Sequence, residues 1–221
     1  MIRYDKSKEY RKEKGNNALG LKPAVAALLM LACLWVPCAV FSEVFLPGRS
    51  QLSPFMQSKA TVASIVVKNK YPHDPEAFTQ GLLFHQGFFY ESTGLLGKSM
   101  LARKDMRTGK VLEEVQLPRD FFGEGIVLLK DRIYQLTWQN ETVLIYDAQT
   151  LREIKKMKYL GEGWGLTSDG KYLLMSNGTS TITFRDPESF KTVREIQVRD
   201  GGTPVGNLNE LEFIKGEIWA N

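Results

Sequence analysis

The sequence predicts an all-β protein with β-propeller architecture, incomplete in this chain, and three observations carry that expectation. A unit of about forty residues recurs: GLLFHQGFFYEST from Gly81, GIVLLKDRIYQLTW from Gly125, GLTSDGKYLLMSN from Gly165 and ELEFIKGEIWAN from Glu210, with starts 44, 40 and 45 positions apart. Each unit turns at a polar or Gly pair (Gln86-Gly87, Lys130-Asp131, Asp169-Gly170, Lys215-Gly216) and returns with alternating apolar residues, as a hairpin does. A third and a fourth short run complete the first three units, so four antiparallel strands repeat, the pattern of a propeller blade. An open stack of hairpins is the simpler alternative.

In chain order, residues 1–22 form a basic tail with seven basic and three acidic side chains, an excess equal to the net charge of the whole chain, +4. The alkaline balance is therefore a topology signal and excludes a nucleic-acid footprint. Residues 23–42 (PAVAALLMLACLWVPCAVFS) carry no charge, and twenty such residues can span a hydrocarbon core of roughly 30 Å as a helix. The segment is read as an uncleaved signal anchor that keeps the basic tail cytosolic. A cleaved signal peptide, with Val40 and Ser42 before the cut, is the alternative and would give a secreted protein. The anchor makes this a type II protein of the endoplasmic reticulum or secretory pathway.

Residues 43–60, rich in Pro, Ser and Gly, read as a stem, and 61–221 as the luminal domain. Both cysteines, Cys33 and Cys38, lie in the apolar segment, which excludes a disulfide framework or Cys-ligated zinc in the domain. Two sequons, at Asn140 and Asn177, fit a luminal location.

The run 61–69 (TVASIVVKN) resembles a blade's fourth strand and is expected to complete the last blade and close the ring. Three blades follow, at about 81–117, 125–160 and 165–200, and then the first hairpin of another. Third strands lie in SMLARKDMRTGK, TVLIYDAQT and STITFRDPESF, each ending in a turn with Asp, Thr or Pro. The fourth strands, KVLEEVQL, LREIKKMKYL and KTVREIQVRD, are more charged and expected outermost. The chain stops at Asn221, in mid-sheet, so an incomplete ring is expected.

The innermost strand of a blade runs along the central channel, so residues just before it converge from distant parts of the sequence. Here these are Gln80, Glu124, Trp164 and Asn209, an unlike set in an otherwise similar repeat, which reads as a site. Phe78 and Phe122 stand two positions earlier, and Trp138 lies where the hairpin after Glu124 returns. A carboxyl group walled by aromatics loses solvation of its charged form, which favours a pKa suited to proton transfer. Glu124 is the one ionisable member of the four and the candidate general acid and base. The alternatives stay open: Glu124 could cap a turn, as Glu162 and Glu210 could nearby, the tryptophans could be core, and Gln80 and Asn209 could fix loops. His73 and His85 read as loop and turn residues, so no transition-metal site is expected. A hard ion such as calcium could still be held by oxygens in the channel.

The motifs YPHDPEAFTQGLLF, YESTGL, FGEG, LTW, GEGWGLTSDG and NLNELEF…IWAN closely resemble the plant-type glutaminyl cyclases (glutaminyl-peptide cyclotransferases) over nearly all of 60–221. The resemblance implies a five-bladed propeller that converts the N-terminal glutamine of peptides and proteins to pyroglutamate with loss of ammonia. It implies Glu124 as the catalytic carboxyl group and Phe78, Gln80, Phe122, Trp138, Trp164 and Asn209 as the substrate pocket. It also implies a calcium ion in the channel, with ligands that the motifs do not assign, and no cofactor for the chemistry itself. A further Trp and a Lys of the family's pocket would lie beyond Asn221.

The chemistry suits these residues independently. An α-amine with a pKa near ~8 is partly a free nucleophile at neutrality, and its own γ-carboxamide lies within five-ring reach. The rival class is a non-catalytic or inactive truncated propeller that at most binds peptides. A six-bladed hydrolase would need carboxylates or histidines at several blade starts, where only Glu124 is charged.

Overall fold

A computed structural model describes residues 66–221, and no helix occurs among them. The first sheet contains β1 (Thr79–His85), β2 (Phe88–Thr93), β3 (Met100–Asp105) and β4 (Val111–Gln116). The second contains β5 (Gly123–Leu129), β6 (Arg132–Thr137), β7 (Thr142–Asp147) and β8 (Glu153–Lys158), and the third β9 (Leu166–Ser168), β10 (Leu173–Met175), β11 (Thr181–Arg185) and β12 (Thr192–Gln197). Each is antiparallel with its strands in chain order. A small ribbon, β13 (Arg199–Asp200) and β14 (Thr203–Pro204), and a hairpin, β15 (Leu211–Ile214) and β16 (Glu217–Ala220), follow.

Local chemistry sets the turns. Gln86 and Gly87 both take positive φ (49° and 87°), as do Lys215 and Gly216 (52° and 88°). Such two-residue turns match the right-handed twist of the flanking strands. The Asp169-Gly170 connection is longer than the predicted pair: Asp169 Oδ1 accepts the backbone N–H groups of Lys171 and Tyr172, at 2.9 and 2.7 Å, and β10 starts only at Leu173.

Between third and fourth strands one device recurs. Asp105, Asp147 and Asp186 each accept, through Oδ1, the backbone N–H of the residue three positions on, at 2.8 Å in all three sheets. The hydroxyl of that residue (Thr108, Thr150, Ser189) donates to the same oxygen. These bonds hold all three carboxyls below the usual aspartate range.

Alternation along the strands gives both faces of the second sheet a core. Ile133, Leu144 and Tyr146 pack with Tyr90 and Leu101 of the first sheet, while Tyr134, Leu136, Val143 and Ile145 pack with Leu166, Leu173 and Met175 of the third. A third core joins Leu174, Ile182 and Phe184 to Leu208 and Leu211. The fourth strands are largely exposed, as their charge predicts. The innermost strands lie side by side, β1 against β5, β5 against β9 and β9 against β15. That is propeller geometry, and it disfavours an open stack of hairpins.

One strand ends earlier than expected, and one expected strand lies largely outside the described residues. The third blade was expected to run to residue 200, but β12 ends at Gln197 and Arg199–Asp200 turn back at Gly201 and Gly202 into a separate ribbon. The strand expected at 61–69 lies outside the described residues up to 65, and 66–69 form no strand. The chain instead straps across the first sheet, with Tyr71 edge-on to Phe89 at 5.5 Å and His73 bonded to Glu91 at 2.8 Å.

The expected basic tail, anchor (23–42) and stem (43–60) lie outside the described residues. Among the described residues no helix is long and apolar enough to cross a membrane.

Candidate active site

Three glycines bring the predicted residues together. A Cβ on Gly81 would stand 2.6 Å from the Ile126 nitrogen, one on Gly125 2.7 Å from the Trp164 oxygen, and one on Gly165 2.0 Å from the Asn209 oxygen. Each glycine follows a predicted site residue and lies against the backbone of the next inner strand, a closeness that a side chain would prevent. Gly125 N–H also donates to the Trp164 carbonyl at 2.8 Å. Gln80, Glu124, Trp164 and Asn209 thereby stand at the starts of four neighbouring inner strands.

Strand irregularities then aim two of them. The β1–β2 register shifts between Thr79 and Gly81, and the β5–β6 register between Gly123 and Ile126, so Gln80 and Glu124 sit at equivalent bulges. A bulge re-aims a side chain that regular pleating would send to a sheet face. Both are buried, Gln80 at 8% exposure and Glu124 at 1%. Glu124 lies inside β5 and not in a turn. Serine hydroxyls anchor the entries: Gly123 N–H donates to Ser99 Oγ at 3.1 Å and Gly165 N–H to Ser176 Oγ at 2.7 Å, while the Ser176 hydroxyl donates to the Asn209 carbonyl at 2.6 Å.

Phe78, Phe122 and Trp138 form a half-buried aromatic row. Phe78 meets Phe122 edge-on at 5.9 Å, and Phe122 meets Trp138 at 5.7 Å. The Trp164 ring lies over Gly178, whose φ of 78° suits the turn and where a Cβ would stand 2.7 Å from the ring.

Sequence reading offered Glu162 only as a turn cap. Its Oε2 accepts the indole N–H groups of both Trp138 and Trp164, each at 2.9 Å, and its Oε1 accepts Gln139 Nε2 at 3.0 Å. A signal existed: Glu162 stands two positions before Trp164, the offset that Phe78 and Phe122 hold from Gln80 and Glu124. Tyr159 was missed. Its hydroxyl donates to the Thr137 carbonyl, and burial, with the Glu124 charge adding to it, pushes the phenol far above the ordinary tyrosine range.

A family model described as glutamine cyclotransferase matches residues 40–221. The chain belongs to that family. It is 44% identical over 162 residues to a glutaminyl-peptide cyclotransferase of Arabidopsis thaliana, a match covering 72% of this chain and 51% of the relative. A crystal structure of Myxococcus xanthus glutaminyl cyclase superposes with a TM-score of 0.66 at 36% identity, covering 71% of this chain and 66% of that one. This member of the glutamine cyclotransferase family thus spans about half the length of the curated relative it matches.

Among the described residues no three His, Cys, Asp or Glu side chains converge to hold a metal. His73 is a loop residue, as expected, and it contacts the buried Glu91, which also pairs with Lys104 and Thr79. At the sequons, Asn140 Nδ2 donates to the Asp120 carbonyl at 2.9 Å, and Asn177 Oδ1 accepts the Thr179 hydroxyl at 2.7 Å.

Proposed function

We propose that this chain carries the cyclising site of a glutaminyl-peptide cyclotransferase, with Glu124 as general acid and base. The observation that carries the reading is a carboxyl group at 1% exposure, set at a strand bulge equivalent to that of Gln80 and two positions after Phe122, whose ring meets Phe78 and Trp138 edge-on.

The peptide's N-terminal glutamine enters with its side chain against the aromatic wall. Its neutral α-amine attacks the γ-carboxamide carbon, and a C–N bond closes the five-membered ring. Glu124 takes the proton that the attacking nitrogen sheds and gives it to the departing amide nitrogen. The old C–N bond breaks, releasing ammonia and leaving pyroglutamate. Holding amine and carboxamide in attack geometry supplies much of the acceleration, and the amides of Gln80 and Asn209 polarise the carbonyl as charge builds on its oxygen. The same reading places the chain in a five-bladed ring in the secretory pathway, anchored through 23–42, with Asn140 and Asn177 as glycan acceptors.

The test is Glu124→Gln, followed by mass detection of ammonia loss from a Gln-initiated peptide. General acid–base catalysis contributes about 10²- to 10⁴-fold, and turnover is expected to fall by that order with the far-UV spectrum unchanged. Near-normal turnover by the folded variant would overturn the assignment.

A second reading, a peptide-binding propeller without turnover, draws on a different observation. Phe84 on the first sheet and Trp219 on the last hairpin are 57% and 47% exposed, an apolar display at both end sheets. Tight calorimetric binding of a Gln-initiated peptide by the unaltered chain, with no ammonia released, would favour it.

A further inference from the structure

The cyclisation reading assigns no role to Glu162, yet this carboxylate joins two parts of the pocket. Trp138 closes the second sheet's inner hairpin and Trp164 leads into the third sheet, 26 positions on in sequence. One oxygen of Glu162 takes both indole N–H groups at 2.9 Å, and the other takes Gln139. The Glu162 backbone is itself anchored on both sides. Gly161 N–H donates to Glu141 Oε1 at 2.8 Å, and Gly163 N–H donates to the Trp138 carbonyl at 3.0 Å. The side chain is thus preset, and it holds the polar edges of both rings. What remains to a ligand is the carbon surface of the two indoles, an apolar wall suited to the methylenes of a glutamine side chain and not to an anionic one.

We propose that Glu162 is a positioning residue that locks Trp138 and Trp164 into one substrate-binding wall. The ligand class rests on the cyclisation reading; the locking of the rings does not. Glu162 acts on binding, while the reacting groups stay with Glu124.

The test uses the full chain labelled with ¹⁵N-tryptophan, with the indole resonances assigned through W138F and W164F. In the unaltered protein both indole N–H groups are expected to exchange slowly and to resonate in the hydrogen-bonded range. Glu162→Ala should release both at once, and Glu162→Gln should keep them, since its carbonyl oxygen can still accept both N–H groups while Gln139 turns its own carbonyl toward the new amide. If Glu162→Ala does not fold, Glu162→Asp, one methylene shorter, should release at least one ring. Peptide affinity should fall about tenfold in the alanine variant, on the scale of a lost aromatic contact. With turnover, KM should rise while kcat stays within about twofold, as expected when uniform binding is lost. Unchanged indole signals in the alanine variant would overturn the proposal. So would a glutamine variant as damaged as the alanine one, because charge and not ring position would then be at work. Absence of peptide binding by the unaltered chain counts against the cyclisation reading, and the resonances alone then decide the locking.

Discussion

Gly165→Ala tests the strand contacts that assemble the site. Gly165 does not occupy the left-handed region, so alanine meets no backbone penalty and the cost is steric. The new Cβ would stand 2.0 Å from the Asn209 oxygen and 2.7 Å from the Glu210 Cα, both backbone atoms, where real contacts keep beyond 3.0 Å. The strands must therefore separate by about 1 Å, and overpacking of this kind costs about 1–3 kcal/mol. Alanine returns about 0.4–1 kcal/mol by restricting the unfolded chain, leaving a net loss of about 1.3 kcal/mol at the middle of the two ranges. The same shift moves Trp164 and Asn209 apart, so peptide binding should weaken as well. Gly206 is the control: nothing lies within 4 Å of its would-be Cβ, and Gly206→Ala should be neutral or stabilising by up to about 1 kcal/mol. Urea unfolding followed by far-UV circular dichroism measures both variants. A Gly165→Ala protein as stable as the unaltered one would refute the close apposition of β9 to the last hairpin, and with it the geometry of the candidate site.

Other expectations follow from buried groups outside the candidate site. Glu91 is fully buried with Lys104 as an ion-pair partner, and Lys104→Met, which removes that cation and leaves the buried carboxylate to Thr79 and His73, should cost roughly 3–5 kcal/mol in urea unfolding. Burial works to raise the Glu91 pKa, but bonds from Lys104, Thr79 and His73 outweigh it and hold the group below its ordinary 4.5. A depressed carboxyl contributes stability above its unfolded pKa and loses it as pH falls through the folded one. The unaltered protein should therefore weaken as pH drops below about 4.5, and Glu91→Gln should show a flatter acid profile in that window. Gln135 donates to Ser92 Oγ at 2.8 Å and accepts from the Tyr146 hydroxyl at 3.2 Å between the first two sheets. Gln135→Leu, which leaves both hydroxyls without it, should cost about 1–3 kcal/mol by thermal unfolding.

The repeat, the hairpin pairs and the Asp turns were legible because each depends on residues a few positions apart. Asp147 and Thr150 need only three steps of chain to find each other, and alternation in RIYQLT assigns its two faces without reference to what covers them. The candidate site residues were chosen by a similar logic, since one repeat laid under another shows which position breaks the pattern. Where the sequence misled, the deciding contact was remote or absent. KTVREIQVRD reads as one strand, but Arg199 and Asp200 turn back at Gly201 and Gly202 into a separate ribbon, and composition does not show that reversal.

What the sequence determined by itself was therefore the sheet architecture, the order of its strands and the candidates Gln80, Glu124, Trp164 and Asn209. The tertiary structure alone decided how closely these approach and what holds them. Gly165 meets the Asn209 carbonyl 44 positions away, and Glu162 binds the indole of Trp138 from 24 positions away. Such contacts form only once sheets pack, so no periodicity in the chain encodes them, and the pocket's shape follows from the distance between strands.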